Sequence, residues 1–413
     1  MLDEAIRALP GMERVLPALE GLPPAYLVGG AVRDLLRGER ASIDIDVAIE
    51  GDAESAAREL ASRLGGEATV HGRFGTATVT APAKAPGDTL AVDLAATRRD
   101  YYPAPGALPE VEPAPLAADL ERRDFSINAI AAALSEDALG RLEDPFGGAG
   151  DIDAGLVRVL HERSFSDDPG RLLRAARYVA RLGFTVEPDT AVQAQAAIDA
   201  GALATLSAAR VRDALLAMLA EPTAPGALAL LHDWGADRAL HPSLSFDSEL
   251  VASAQLGSLE TGADPALAAL AALCSGAPDA LEPWIRSLGL AAAGRDAVIA
   301  AAAEASRLAA ALAPELRASD IHALLAPQPP EALALALALG APAEPVLRFA
   351  GELSAVRLEI SGADLLATGV PESPAIGSAL AQTLRRKLDG ELSSRDAELN
   401  AALAALRAEQ ARA

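Results

Sequence analysis

The chain changes its pattern near residue 168, and that change restricts its possible folds more than any other feature. Up to about residue 150, short β-branched runs alternate with Gly and Pro, so AYLVGG (25–30), SIDIDVAI (42–49), TATVTA (76–81) and TLAVDLAA (89–96) read as strands. AVRDLLRG (31–38) and AESAARELASRLGG (53–66) read as helices between them. From about residue 168 the chain becomes Ala/Leu/Arg/Glu segments at helical spacing, broken by loops such as AEPTAPGA, CSGAPDALEP and LAPQPPEA. The expected class is therefore α+β, an α/β head followed by a long all-helical remainder. No fixed period of 30 to 45 residues marks a repeat array. Aromatic residues make up only 3%, so those helices must pack Leu and Ala at close approach.

The segment 98–121, RRDYYPAPGALPEVEPAPLAADLE, is the main irregular stretch of the head and carries Pro103, Pro105, Pro109, Pro113 and Pro115. An ordered connector and a mobile active-site element are both open readings. The single cysteine, Cys274, lies in the apolar run ALAALAALC and reads as a buried small hydrophobe in a reducing compartment. The start, MLDEAIRALPGMERVLPAL, interleaves charges with its apolar positions, unlike a signal peptide. The apolar run at 332–342 is too short to span a bilayer, so a cytoplasmic protein with no membrane partner is expected. The formal charge of −23 argues against a nucleic-acid partner when taken alone. All but two of the 35 cations are arginine, the exceptions being Lys84 and Lys387.

Four constellations can carry chemistry. In LVGGAVRDLL (27–36) a strand enters a Gly-Gly turn and then a helix. Gly29 and Gly30 would let a ligand approach the backbone, the helix start would face an anion, and Arg33 would add a phosphate contact. Such turns also serve plain chain reversal. In SIDIDVAIEGD (42–52), Asp44 and Asp46 share one face of a strand whose other face is apolar. Two carboxylates that close repel unless solvated or bridged by a cation, and oxygen-only ligation suits Mg²⁺. Asp93, an acid in an apolar strand, is a candidate third carboxylate for two-metal phosphoryl or nucleotidyl transfer.

In DLERRDFSINAIAAAL (119–134), Arg122, Arg123 and Asp124 precede a helix-like run. Arg123 would clamp a triphosphate, and an Arg–Asp capping network is an equal reading. Asn128 would need a hydrogen-bond partner if buried. In SFSDDPGRLLRAARYVARLGF (164–184), Asp168 and Pro169 start a helix whose Arg171, Arg174, Arg177 and Arg181 fall within an arc of roughly 120°. No acid occurs between residues 169 and 186, so this stripe lacks helical partners and is expected to await an anionic or hydrogen-bonding ligand.

In this order, GGAVRD, DID, RRDFSINA and DDPGRLLRAARYVARLGF resemble the tRNA nucleotidyltransferase and poly(A) polymerase family, the class II CCA-adding enzymes. R-x-D-x-Y at Arg98, Asp100 and Tyr102, PGALPEVE at 105–112, DPFGGAGDIDAGLVRVL at 144–160, ISGADLLATG at 360–369 and PAIG at 374–377 extend the likeness. It implies a polymerase-beta-like nucleotidyltransferase head (1–150), a helical neck (151–220), a body (221–335) and a tRNA-binding tail (336–413). It implies untemplated addition of C, C and A to the 3′ end of tRNA from CTP and ATP, with contacts to the acceptor and elbow. Asp44 and Asp46 match metal-binding carboxylates, with Asp93 transferred from the wider superfamily. Gly29, Gly30, Arg33 and Arg123 match nucleotide-binding positions, and Asp168, Arg171, Arg174 and Arg177 match the motif that reads the incoming base.

Cytosine and adenine both present an amino donor beside a ring-nitrogen acceptor, which Asp168 and Arg171 together would complement. Asp167 stands where the family usually has Glu, which leaves fine specificity open. CC-adding, A-adding and poly(A)-polymerase outputs remain open, as does oligomeric state. An inactive RNA-binding module is disfavoured by the surviving acids and arginines. A phosphohydrolase site at His232 and Asp233 is disfavoured because only His241 and His322 lie nearby.

Overall fold

The computed structural model describes residues 2–39, 44–71, 75–83 and 88–410. Ser42 and Ile43 of the expected strand at 42–49, and Lys84, lie outside the described residues. The chain divides into two compact units, one of Met1–Arg210 with Asp233–Ala239 and one of Val211–His232 with Leu240–Ala413.

In the first unit the strands are β1 (Ala25–Val28), β2 (Ile45–Ile49), β3 (Glu67–His71), β4 (Thr76–Pro82), β5 (Thr89–Ala96), β6 (Arg98–Tyr101), β7 (Glu110–Pro113), β8 (Ala131–Ala133) and β9 (Leu142–Glu143). Seven of them form one sheet in the order β3-β4-β5-β2-β1-β8-β9. The β2–β5 pair is parallel, and its register sets Asp46 opposite Asp93. Between β1 and β2 runs helix α1 (Gly30–Leu36), and after β2 runs α2 (Ala53–Leu64). Asp52 caps α2 by accepting from the amides of Glu54 and Ser55, both at 3.1 Å, and Gly65 at φ 68° ends it. The buried face of α2, including Ala57, Leu60 and Leu64, covers the side of the sheet that carries Ala77, Val79, Val92 and Leu94. The opposite side, with Thr78 on β4 and Asp93 on β5, stays open.

One segment differs from the sequence reading, and a second, left open there, takes a definite form. Residues 125–134 are not a helix: a 3₁₀ turn at Ser126–Asn128 leads into β8, where Ala131, Ala132 and Ala133 are buried. Alanine favours helices in isolation, but a small side chain is what an inner strand beside β1 can accommodate, and packing overrides propensity. The segment 98–121 is ordered: β6 and β7 pair as a hairpin, followed by α3 (Leu116–Glu121). Its tip is tied to the residues just before helix α4 (Gly170–Leu182), because the Gly106 amide donates to the Asp167 carbonyl at 3.3 Å. Asp168 caps α4 by accepting from the Gly170 amide at 2.9 Å.

The second unit is helical, with α5 (Ser248–Thr261), α6 (Pro265–Cys274), α7 (Ala292–Ala311) and α8 (Pro330–Ala338) packed together. The close approach expected of an alanine-rich core is visible where a Cβ on Gly257 would lie 2.7 Å from the Ala334 carbonyl oxygen. Cys274 is fully buried, and burial pushes its thiol up to about 12. His232 and Asp233 are exposed at the end of the helix Ala224–Asp233. Among the described residues no helix is long and apolar enough to cross a membrane.

Candidate active site

The β1 strand delivers the chain to Gly29 at φ 67°, a left-handed conformation that favours glycine. A Cβ there would sit 3.0 Å from Nη1 of Arg123, so glycine also keeps room for that guanidinium. A cavity of about 350 Å³ opens in front of the turn. Gly29, Gly30, Asp46, Arg123, Asp168, Arg171 and Arg174, all named from sequence, line it together with Tyr102, Asp124 and Tyr178.

A second cavity of about 350 Å³ lies over the open face of the sheet, lined by Asp46, His71, Thr78, Asp93 and Arg123 among others. The two cavities share Asp46 and Arg123. Asp44 precedes β2 and lines a third cavity with Asp93. Loss of bulk water around Asp46, with the charges of Asp93 and Asp44 added, pushes its pKa up to about 6 against the opposing pull of Arg123. Among the described residues no three ligating side chains converge closely enough to enclose an ion. The donor set is therefore open, and crowded carboxylate oxygens of this kind fit a hard cation that takes its other ligands from water and phosphate.

The RRD block forms the Arg–Asp network, one of the two readings open for it. Arg122 donates from Nε and Nη2 to Oδ1 of Asp119 at 2.9 and 2.7 Å, and Arg123 donates to Oδ2 at 3.0 Å. Burial would raise the Asp119 pKa, but the two guanidiniums reverse the effect and hold it low. Arg123 nevertheless keeps a buried Nε with no hydrogen-bond partner beside both cavities.

A continuous polar chain runs from α1 to α4. Arg33 pairs with Asp34 at 2.8 and 3.0 Å and donates to Oδ1 of Asn128 at 2.7 Å. Asn128 donates to Oδ1 of Asp124 at 3.0 Å, and Oδ2 of Asp124 accepts from Nε of Arg174 at 3.0 Å. Arg174 then donates to Oδ2 of Asp168 at 2.8 Å, and Arg210 donates to Oδ1 of Asp168 and, at 2.9 Å, to the Gly106 carbonyl. Burial would raise the Asp168 pKa, but Arg174, Arg210 and Arg171 outweigh it and hold the group low.

This chain corrects the expectation of an unpartnered arginine stripe, because acids distant in sequence supply what the helix lacks. Arg33 is 2% exposed and its guanidinium lies 5.4 Å from the centre of the Tyr178 ring, so it sits behind the cavity wall rather than on it. Arg171 donates to the Arg122 carbonyl at 2.8 Å and to the Ser164 hydroxyl, while its buried Nε has no partner. Arg177 lies two turns into α4 and is not part of the cavity lining. Asp119, Tyr178 and Arg210 escaped the sequence reading of the site, and Asp124 was named there only as part of the RRD block, with no role of its own. An acid inside the RRD block was a usable signal for Asp124, whereas Arg210 had none.

The family described as the Poly A polymerase head domain matches residues 25–158. A CC-adding tRNA nucleotidyltransferase from Deinococcus radiodurans is 36% identical over 91% of this chain and 87% of its own length. An A-adding tRNA nucleotidyltransferase from Geobacter sulfurreducens is 33% identical over 92% of this chain, and one from Halalkalibacterium halodurans is 44% identical over 45% of it. The chain spans less than half the length of those two A-adding relatives, 45% and 43%. Among solved structures, an apo CCA-adding enzyme superposes with a TM-score of 0.77 at 29% identity, covering 92% of this chain and 91% of that one. The Thermotoga maritima CCA-adding enzyme complexed with tRNA gives 0.71 at 27% identity, covering 93% and 91%.

Proposed function

The chain belongs to the tRNA nucleotidyltransferase and poly(A) polymerase family, and on that premise we propose that it adds C, C and A to the 3′ end of tRNA from CTP and ATP without a nucleic-acid template. The observation that carries this reading is the meeting of two cavities at Asp46 and Arg123. One cavity has a glycine turn and arginines suited to a nucleoside triphosphate. The other has Asp93 and Thr78 and is open to an acceptor hydroxyl. Mg²⁺ held by Asp44 and Asp46, with Asp93 as a third carboxylate, would lower the pKa of the 3′-hydroxyl and neutralise the triphosphate and departing pyrophosphate.

The chain's own groups account for the rest. The Gly29–Gly30 turn and Arg123 receive the phosphates, and Arg33 holds the turn from behind through Asn128. Asp168 accepts from the exocyclic amine of cytosine or adenine, and the unpartnered Nε of Arg171 donates to the ring nitrogen. Guanine and uracil present the reverse order and would leave those groups unpaired, a penalty large enough to reject them. A cytoplasmic location and contacts of the 336–413 segment with the tRNA elbow go with this reading.

A narrower output is the second reading, favoured by the CC-adding relative that matches most of the chain. One assay separates the outcomes: tRNA ending at the discriminator base is incubated with CTP alone, ATP alone or both, and the products are sized. Extension by two with CTP and by three with both nucleotides is expected. A stop at two with both nucleotides gives CC addition, and no extension of any tRNA 3′ end overturns the proposal.

A further inference from the structure

On the open face of the sheet, three side chains from three neighbouring strands are joined in a line. Thr78 of β4 is the register partner of Asp93 on β5 and donates its hydroxyl proton to Oδ1 at 2.6 Å. Nε2 of His71, on β3, lies 3.2 Å from the same hydroxyl oxygen. A threonine hydroxyl has one proton, so with that proton on Asp93 the oxygen can only accept from the imidazole. His71 must therefore present Nε2–H, and the line has a fixed polarity from imidazole to hydroxyl to carboxylate.

The bond to the carboxylate is charge-assisted and holds Oδ1 in place, so the second oxygen is the one that remains for a cation. Across the other edge of β5, Asp46 is the register partner of Asp93, so the two carboxylates stand side by side on the open face of the sheet. A surface Thr–Asp pair is common on strands and ordinarily has no further role. Here it sits in the cavity that reaches Asp46 and Arg123, and a histidine fixes the hydroxyl from behind.

We propose that Thr78, backed by His71, is a positioning residue that aims Asp93 at the cation shared with Asp44 and Asp46. The inference rests on the cation reading given above. Hydrogen-bonded partners of this kind are generally worth tenfold or more in metal affinity.

The test uses the full chain stripped with EDTA and titrated with Mn²⁺ in the absence of nucleotide, the free ion being followed by electron paramagnetic resonance. Thr78→Val keeps the β-branched shape and removes the donor. It should weaken Mn²⁺ binding about tenfold and lower kcat comparably, with the KM for CTP within about twofold of wild type. Thr78→Ser should restore both, and His71→Phe, with the hydroxyl intact, should cost about threefold in Mn²⁺ affinity. Wild-type Mn²⁺ affinity in Thr78→Val, or equal impairment of the Val and Ser variants at unchanged Tm, overturns the inference. If Thr78→Val melts early, His71→Phe decides, and wild-type affinity there overturns it. A wild-type chain that binds no Mn²⁺ overturns the cation reading itself and this inference with it.

Discussion

Asp46 is the residue on which charge and solvent conflict most directly. Its pKa of about 6 in the folded chain stands above the ordinary value of 3.8, first through loss of bulk water and then through Asp93 and Asp44. A group whose folded pKa is raised binds its proton more tightly when folded. Its contribution to stability is therefore present below about 3.8 and lost as pH rises through about 6. Asp46→Asn cannot ionise, so in EDTA at pH 7.5 it should melt slightly above wild type, the gain kept small because the Asp46 side chain is exposed and solvent screens its charge, with the difference gone below pH 4. Melting curves at the two pH values check this, and a variant less stable than wild type at pH 7.5 would contradict it. Asp44→Ala should abolish nucleotide incorporation while leaving the far-ultraviolet circular dichroism unchanged, and normal turnover would refute the metal assignment. Arg210 makes a different prediction. It occupies Oδ1 of Asp168, so Arg210→Ala should free that carboxylate to move and lower the preference for CTP over UTP about tenfold in kcat/KM. An unchanged preference would remove Arg210 from base selection.

Among elements, the β6–β7 hairpin shows how a loop-like sequence acquires a fixed position. Gly106 at its tip has φ 70°, and a Cβ there would lie 2.2 Å from the Thr205 hydroxyl oxygen. Its carbonyl is held by Arg210 at 2.9 Å. Gly106→Ala should therefore release the tip, increase protease cleavage between residues 103 and 109, and lower nucleotide incorporation while leaving the sheet intact. Unchanged cleavage would show that the tip is held elsewhere. The sequence could not announce this hairpin, because its prolines resemble those of an unstructured connector and its partners, Asp167, Thr205 and Arg210, lie more than 60 residues further along the chain. The strands β1, β2, β4 and β5 were legible, since β-branched residues alternate along them and glycine or proline marks their ends. Gly29, Gly30 and Asp46 were nameable for the same reason. Arg210 was not, because it lies 42 residues from Asp168 in a helix with ordinary composition. β8 failed as a reading because three alanines carry no strand signal of their own.

For the whole molecule, a formal charge of −23 must coexist with a polyanionic partner on the proposed reading. The structure narrows where the attraction can originate. In the second unit Lys387 pairs with the buried Glu398 at 2.6 Å, Arg386 with Glu391 at 2.7 Å, Arg385 with Asp320 at 3.6 Å and Arg317 with Asp320 at 3.2 Å. The three arginine pairs are exposed and add little stability, but every one of these carboxylates, buried Glu398 included, competes with phosphate for its cation. In the first unit Arg33, Arg122 and Arg174 are likewise committed to acids or amides. These cations of the described residues are thus held by carboxylates and amides and are not free to displace counterions from RNA, and each phosphate neutralised contributes somewhat less than one to the salt slope. Binding of tRNA should consequently be weak and its affinity should fall with a logarithmic slope of about −3 between 50 and 300 mM KCl, as measured by filter binding. A slope of about −8 would require a broad phosphate-binding surface, which would mean that the ion pairs of the second unit open when tRNA binds. Replacing both Arg385 and Arg386 with Glu separates the cases: it should leave a shallow slope nearly unchanged and should sharply reduce a steep one.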